Sequence, residues 1–146
     1  MEIIVGTIVM QNNKILMVKE AKKMCYGKWS FPAGHLEDNE TLVEGAKRET
    51  LEETGYKTKL KKSFPIFARN DSKLKILMVY FLAEPIEYKI NFDTTEIMET
   101  KWVDIEELKN MDKNDLRSHA IVEQIIQTLE SGTLYNLEII KDLPNI

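Results

Sequence analysis

Residues 31–56 read FPAGHLEDNETLVEGAKRETLEETGY, and most of that run is punctuated as a helix. Thr41-Leu42-Val43-Glu44 fits a capping box, with Thr41 as N-cap and Glu44 reaching back to it. Gly55 stands where a glycine closes a helix in the left-handed conformation. At about 100° per residue, Leu42, Val43, Ala46, Thr50 and Thr54 share one arc of about 120°, the core face. Glu49, Glu52 and Glu53 share an adjoining arc of about 100°. Gly45 projects from the middle of that acidic arc. A glycine inside a helix costs about 0.5–1 kcal/mol against alanine, and here it is expected to clear space above the carboxylates. Arg48 lies one turn before Glu52, placed to orient it through a charge-assisted hydrogen bond.

Three carboxylates at i, i+3 and i+4 have Cβ atoms roughly 5–6 Å apart. Their repulsion is relieved by a cation between them, and oxygen-only ligands on a rigid element suit Mg²⁺ above all. Composition alone would also allow a Glu-rich face that simply stands in water. The surrounding residues argue against that. Gly34, Glu40, Arg48-Glu49, Glu52-Glu53 and Gly55 form the pattern G-x5-E-x7-RE-xx-EE-x-G. Seven fixed positions agree by chance roughly once in 10⁸ trials.

This pattern resembles the Nudix box, the signature of MutT-like hydrolases that act on a nucleoside diphosphate linked to another moiety. The chain departs from it at Thr50 and Tyr56, where the box usually has aliphatic residues. Both are packing positions. A narrower likeness lies in WSFPAGHLE, ETLVEGAKRETLEETG and LRSHAIVEQIIQTLESGTLYNLEII. These stretches look like the NudJ branch, phosphatases of nucleoside tri- and diphosphates and of hydroxymethylpyrimidine diphosphate.

Composition narrows the function classes. The 146 residues, 43% hydrophobic and 30% charged, suit one soluble globular domain spanning 1–146. A net charge of −4 without a basic block argues against general nucleic-acid binding. An acidic protein that binds polyphosphate must supply local positive charge, and a bound metal is the obvious source. The single Cys25 cannot form an internal disulfide, which fits a reducing cytoplasm. No apolar run reaches membrane-spanning length, and no signal peptide precedes the first strand pattern. Internal repeats and low-complexity linkers are absent, and either a monomer or a homodimer fits the chain.

Along the chain, Glu2 to Met10 and Lys14 to Lys19 read as a hairpin turning at Gln11-Asn12-Asn13. Ala21 to Lys28 reads as a loop, and Trp29-Ser30-Phe31 as a short strand entering Pro32-Ala33-Gly34, where Gly34 lets the chain turn sharply. Lys57 to Ala68 and Lys73 to Ala83 read as two longer strands joined at Arg69-Asn70-Asp71-Ser72, with Glu84-Pro85 ending the pairing. Tyr80 and Phe81 alternate faces, so one lines the cleft and the other packs. Asn91 to Glu99 reads as a loop over the site, Thr100 to Val103 as a strand, and Ile105 to Asn110 as a short helix. A longer helix, Leu116 to Glu130, carries the core stripe Ile121, Val122, Ile125, Ile126 and Leu129 and ends at Gly132. The element order is that of an α+β domain, an α/β/α sandwich with a mixed sheet between helices. The resemblance specifies it as the Nudix fold.

The resemblance also implies roles. The Ala33 carbonyl, Glu49 and Glu53 would hold Mg²⁺, with Mn²⁺ as a substitute, and Glu52 would be a further ligand or the water activator. Lys19 would meet substrate phosphate, its alternative being a solvated strand end. Glu96, six residues before Trp102, would be general base or metal ligand; Glu52 is the other candidate base, and Glu99 a lesser candidate for the loop acid. Arg48, Glu40 and Gly34 would orient the loop and the ligands. Trp29 is either a wall residue or a stacking partner for substrate, and Tyr80 a substrate contact. His35 and His119 read as packing or hydrogen-bonding residues. The implied activity is Mg²⁺-dependent hydrolysis of a phosphoanhydride in a nucleoside tri- or diphosphate or a small pyrimidine diphosphate. The alternatives are an ADP-ribose or sugar-nucleotide pyrophosphatase, a nucleotide-pool sanitiser, and a ligand-sensing module without turnover.

Overall fold

The computed structural model describes residues 1–70, 73–89 and 92–144. Strands β1 (Glu2–Gln11), β2 (Lys14–Glu20), β3 (Trp29–Ser30) and β4 (Ala33–His35) precede helix α1 (Leu42–Thr54). Strands β5 (Tyr56–Ser63), β6 (Phe67–Asn70), β7 (Lys75–Tyr88) and β8 (Ile97–Asp104) follow, then helices α2 (Ile105–Lys109) and α3 (His119–Ser131). The sheet is mixed. β1 pairs in parallel with β7 and antiparallel with β4 and the start of β2, while β5 and β6 flank β7 antiparallel. On the other limb β2 lies between β3 and β8. Among the described residues no helix is long and apolar enough to cross a membrane.

Alternation along β1 splits the core into two layers. Val5 and Val9 pack with Ala46 of α1, whereas Ile8 packs with Ile121, Val122 and Ile125 of α3. The two helices therefore cover opposite faces of the sheet, the α/β/α sandwich expected from the element order. The β1–β2 hairpin turns on Asn12 and Asn13, with φ of 53° and 63°. Asparagine tolerates that left-handed region, and two such residues match the right-handed twist of the strands.

Several boundaries differ from the sequence reading. The last strand begins at Ile97, inside the segment read as a loop, because Ile97 and Glu99 pair with Glu20 and Lys19 of β2. Ala33-Gly34, read as a turn, is part of β4, paired with β1. Lys57 to Ala68 is two strands: Pro65 has no N–H to donate, and the chain leaves the ladder at Phe64, which is fully buried. Pro85 does not end β7. It sits where the register against β5 slips between Lys57 and Thr58, a bulge that tolerates a missing donor. The long helix begins at His119, because Ser118 caps it through the Ile121 N–H, and Leu116 remains extended beside Trp29. Asp71 and Ser72 of the proposed hairpin turn, and Asn91 of the loop over the site, lie outside the described residues.

Candidate active site

Helix α1 is fixed at both ends before any tertiary contact is counted. Thr41 Oγ1 accepts from the Glu44 N–H at 3.1 Å, and Glu44 Oε1 accepts from the Thr41 N–H at 3.2 Å. Gly55 closes the helix at φ 79°, donating to the Leu51 carbonyl. Ala46 and Thr50 are fully buried and Thr54 almost so. Thr50 departs from the aliphatic residue of the box because it has a partner. Its hydroxyl donates to the Ala46 carbonyl (2.8 Å) and lies 2.6 Å from the Thr7 hydroxyl of β1, which donates in turn. Tyr56, the other departure, stacks tilted on Tyr88 and edge-on to Trp102.

The acidic arc is not uniformly wet. Glu52 keeps half of its side chain in water, but Glu49 is 9% exposed and Glu53 only 1%. Strand β4 covers them. The Ala33 N–H donates to Glu53 Oε1 at 2.9 Å, so the contact Ala33 makes with the helix is through its N–H. Gly34 is not needed for a sharp turn: the described glycines with positive φ are Gly27 and Gly55. It is needed because any Cβ there would collide with the Glu49 carboxylate. Gly45 likewise makes room in a different place from the one expected. A Cβ there would meet Glu40 Oε1, Leu36 and Val5, so it permits close helix–sheet packing and does not clear the acidic trio.

Arg48 holds these elements together. Its Nε and Nη2 form a two-point bond to Glu40 at 2.9 and 2.7 Å, and Nη2 also donates to the His35 carbonyl. Nη1 reaches Glu49 at 2.9 Å and Glu52 at 3.2 Å. The guanidinium holds the Glu40 carboxyl below its ordinary range, and the bond to Glu40 is the main reason the Arg48 pKa is raised. Among the described residues no three carboxylates, histidines or cysteines close into a metal cluster. Arg48 instead bridges Glu49 and Glu52.

Glu53 differs from its neighbours. Its Oε2 is buried and has no hydrogen-bond partner, a costly state for a carboxylate. Burial pushes its pKa up to about 9, opposed by the Ala33 N–H, with the charges of Glu20 and Glu49 adding to the rise. Burial also raises Glu49 against the pull of Arg48, with Glu52 and Glu96 contributing. The metal-free fold thus keeps Glu53 protonated near neutrality. A buried orphan oxygen amid carboxylates, with oxygen donors only, fits a hard divalent cation.

The remaining candidates divide by face. Tyr80 points to the α3 side, edge-on to Phe31, and lines a cleft of about 470 Å³ with Trp29, Ala33 and Gly34; Phe81 is fully buried on the α1 side. Burial lifts the Tyr80 hydroxyl to about 12, so it remains a donor. Lys19 does not line this cleft: it pairs with Glu99 at 3.5 Å and lies over the Trp29 ring. That pairing also occupies Glu99. Glu96 lies in a turn whose Asp93 N–H donates to the Glu52 carbonyl at 2.8 Å. Its carboxylate is 4.0 Å from Lys22. His35 bonds Glu2 at 3.1 Å and His119 lies 3.6 Å from Glu123, both near the surface.

Four residues of the site escaped the sequence reading. Glu20, 1% exposed, accepts from Arg117 Nη1 at 3.1 Å, and Lys22, Arg69 and Arg117 line the cleft. Period-two alternation places Glu20 on the face of Leu16, which packs in the core. A charge at a core position was the available signal. The cations have no such local mark.

A NUDIX domain model matches residues 2–124. The chain is 45% identical over 53 residues to the 8-oxo-dGDP phosphatase NUDT18 of Danio rerio, covering 36% of this chain and 16% of that protein. It is 33% identical over 117 residues to Nudix hydrolase 6 of Arabidopsis thaliana, covering 75% of this chain and 41% of the relative. The chain thus spans less than half the length of these two curated relatives. A solved structure, a NUDIX hydrolase from Nitrosomonas europaea, superposes with a TM-score of 0.87 at 26% identity over 97% of both chains. With a family model covering most of its length and a fold that agrees throughout, the chain belongs to the NUDIX family.

Proposed function

We propose that residues 1–146 form one catalytic domain that hydrolyses a phosphoanhydride bond in a nucleoside di- or triphosphate, or in a small pyrimidine diphosphate as in the NudJ branch. The observation that carries this reading is Glu53, a buried carboxylate with one orphan oxygen that feels the charges of Glu20 and Glu49. It bonds the N–H of Ala33, which lines a cleft together with Lys22, Arg69 and Arg117. Glu49, Glu52 and Glu53, with the Ala33 carbonyl, are the groups that would hold Mg²⁺ or Mn²⁺. When bound, the ion neutralises phosphate charge and acidifies water.

The chain's own residues do the rest. Arg48, held by Glu40 and donating to the His35 carbonyl, ties α1 to β4, so the carboxylates keep their place against that strand. Lys22, between Glu96 and the cleft, is placed to meet a phosphate oxygen. Glu96 and half-exposed Glu52 are the two carboxylates able to take a proton from attacking water. Trp29 and Tyr80 offer aromatic surface to the rest of the substrate. The single, free Cys25 suits a reducing cytoplasm.

A second reading, removal of oxidised nucleoside diphosphates from the nucleotide pool, draws on the similarity to an 8-oxo-dGDP phosphatase across 53 residues. Phosphate and pyrophosphate release should be followed across di- and triphosphates, their 8-oxo forms, hydroxymethylpyrimidine diphosphate and ADP-ribose, with Mg²⁺, Mn²⁺ or chelator. Metal-dependent release from one class selects the reading. Folded, metal-binding protein that releases nothing from any substrate makes the domain a ligand-binding module.

A further inference from the structure

Arg117 has two attachments that hold it in place. Its backbone N–H donates to the Trp29 carbonyl at 2.9 Å, and Nη1 donates to Glu20, whose side chain is 1% exposed. The Arg117 side chain itself remains 41% exposed and lines the cleft. A guanidinium carries five N–H donors and no acceptor. With Nη1 held on a buried carboxylate, its other N–H groups are available to an occupant of the cleft. Of the nearby acceptors, Glu2 bonds His35 at 3.1 Å through one oxygen, and the Ser118 hydroxyl takes Arg69 at 3.1 Å. The cleft floor of Trp29, Phe31 and Tyr80 is aromatic and suited to stacking a planar ring.

We infer that Arg117 is the specificity-determining residue of this cleft, and that it favours nucleobases presenting a carbonyl oxygen over those with an amino group at the same position. The inference rests on the phosphohydrolase reading for its substrate class. The physical reason is asymmetric. A donor-only fork pairs with a carbonyl, whereas an amino group leaves both sets of N–H unpaired.

The test uses pairs that exchange an oxo for an amino group and, with it, a ring N–H for a bare ring nitrogen: ITP against ATP, and UTP against CTP. A fork on the exocyclic position favours the oxo member, and one on the adjacent ring nitrogen favours the amino member. Wild-type protein should favour the carbonyl member of at least one pair by about tenfold or more in kcat/KM. Calorimetric binding of IMP against AMP and of UMP against CMP repeats the comparison without turnover, so a failure of hydrolysis is distinguishable from a failure of base selection. Arg117→Lys keeps the charge beside Glu20 but loses the planar fork, and the ratio should fall towards one while the thermal midpoint shows the protein folded. Equal binding and turnover within both wild-type pairs, or preference for the amino member, overturns the inference even if the variant fails to fold. So does a ratio that survives in Arg117→Lys, or a uniform loss across all four nucleotides.

Discussion

Replacing Glu53 by Gln changes one buried atom and a charge equilibrium. The amide keeps an oxygen for the Ala33 N–H, which now lies 2.9 Å from Oε1, and fills the same volume. In the metal-free fold the Glu53 pKa is pushed up to about 9 from 4.5. Between those values the folded chain holds a proton that the unfolded chain has released. Stability therefore falls as pH rises through this window, by at most about 1.4 kcal/mol per unit from this group. From pH 6 to pH 8 the loss approaches about 2.7 kcal/mol, a midpoint shift of about 5–11 °C for a domain of this size. Raised Glu49 acts with the same sign, so the difference between wild type and Glu53→Gln isolates Glu53. Denaturation in chelator at several pH values should show a shallower slope for Glu53→Gln, which becomes the more stable protein at pH 8. Mg²⁺ should stabilise wild type increasingly with pH and the variant little, and turnover should be mostly lost. Parallel pH slopes for the two proteins, or a wild type that grows more stable from pH 6 to pH 8, would refute the account.

Other outcomes follow from single contacts. Thr50→Val should cost about 1–3 kcal/mol by stranding the Thr7 hydroxyl, while Thr7→Val with Thr50→Val should be nearly neutral, a coupling that a double-mutant cycle in urea reads directly. Gly34→Ala should weaken Mg²⁺ affinity with a smaller effect on stability, since the new Cβ displaces only the Glu49 carboxylate, the end of a flexible side chain; calorimetry checks the first effect and thermal denaturation the second. Arg48→Met should cost about 3 kcal/mol or more by leaving Glu40 and Glu49 uncompensated, measured by chemical denaturation. Lys22→Met should raise KM for nucleotide substrates several-fold, whereas Lys19→Met, outside the cleft, should leave it close to wild type; steady-state kinetics separates them.

Local signals made α1 legible. Thr41, Glu44 and Gly55 act within a few residues of themselves, and their geometry matches the capping box and left-handed closure read from the sequence. The same holds for the Asn12–Asn13 hairpin and for the stripe on α3, because turn chemistry and side-chain period are short-range properties. From these the two layers of helix about a mixed sheet could be assembled. Pro65 and Pro85 were harder, since what a missing N–H does depends on the partner strand opposite it.

The acids of α1 could be counted in the sequence, but their states could not. Periodicity placed Glu49, Glu52 and Glu53 on one arc, yet only the packing of β4 leaves Glu52 half in water and Glu53 with an oxygen that nothing bonds. That difference is one of desolvation, which depends on residues 20 positions away in the chain. For the same reason Glu20 and Arg117, 97 positions apart, carried no joint mark in the sequence, and Lys22 stood in a loop with nothing local to single it out. Spacing along the chain determines which face of an element a side chain takes. Which water it loses and which charge it meets are decided only when distant elements close around it.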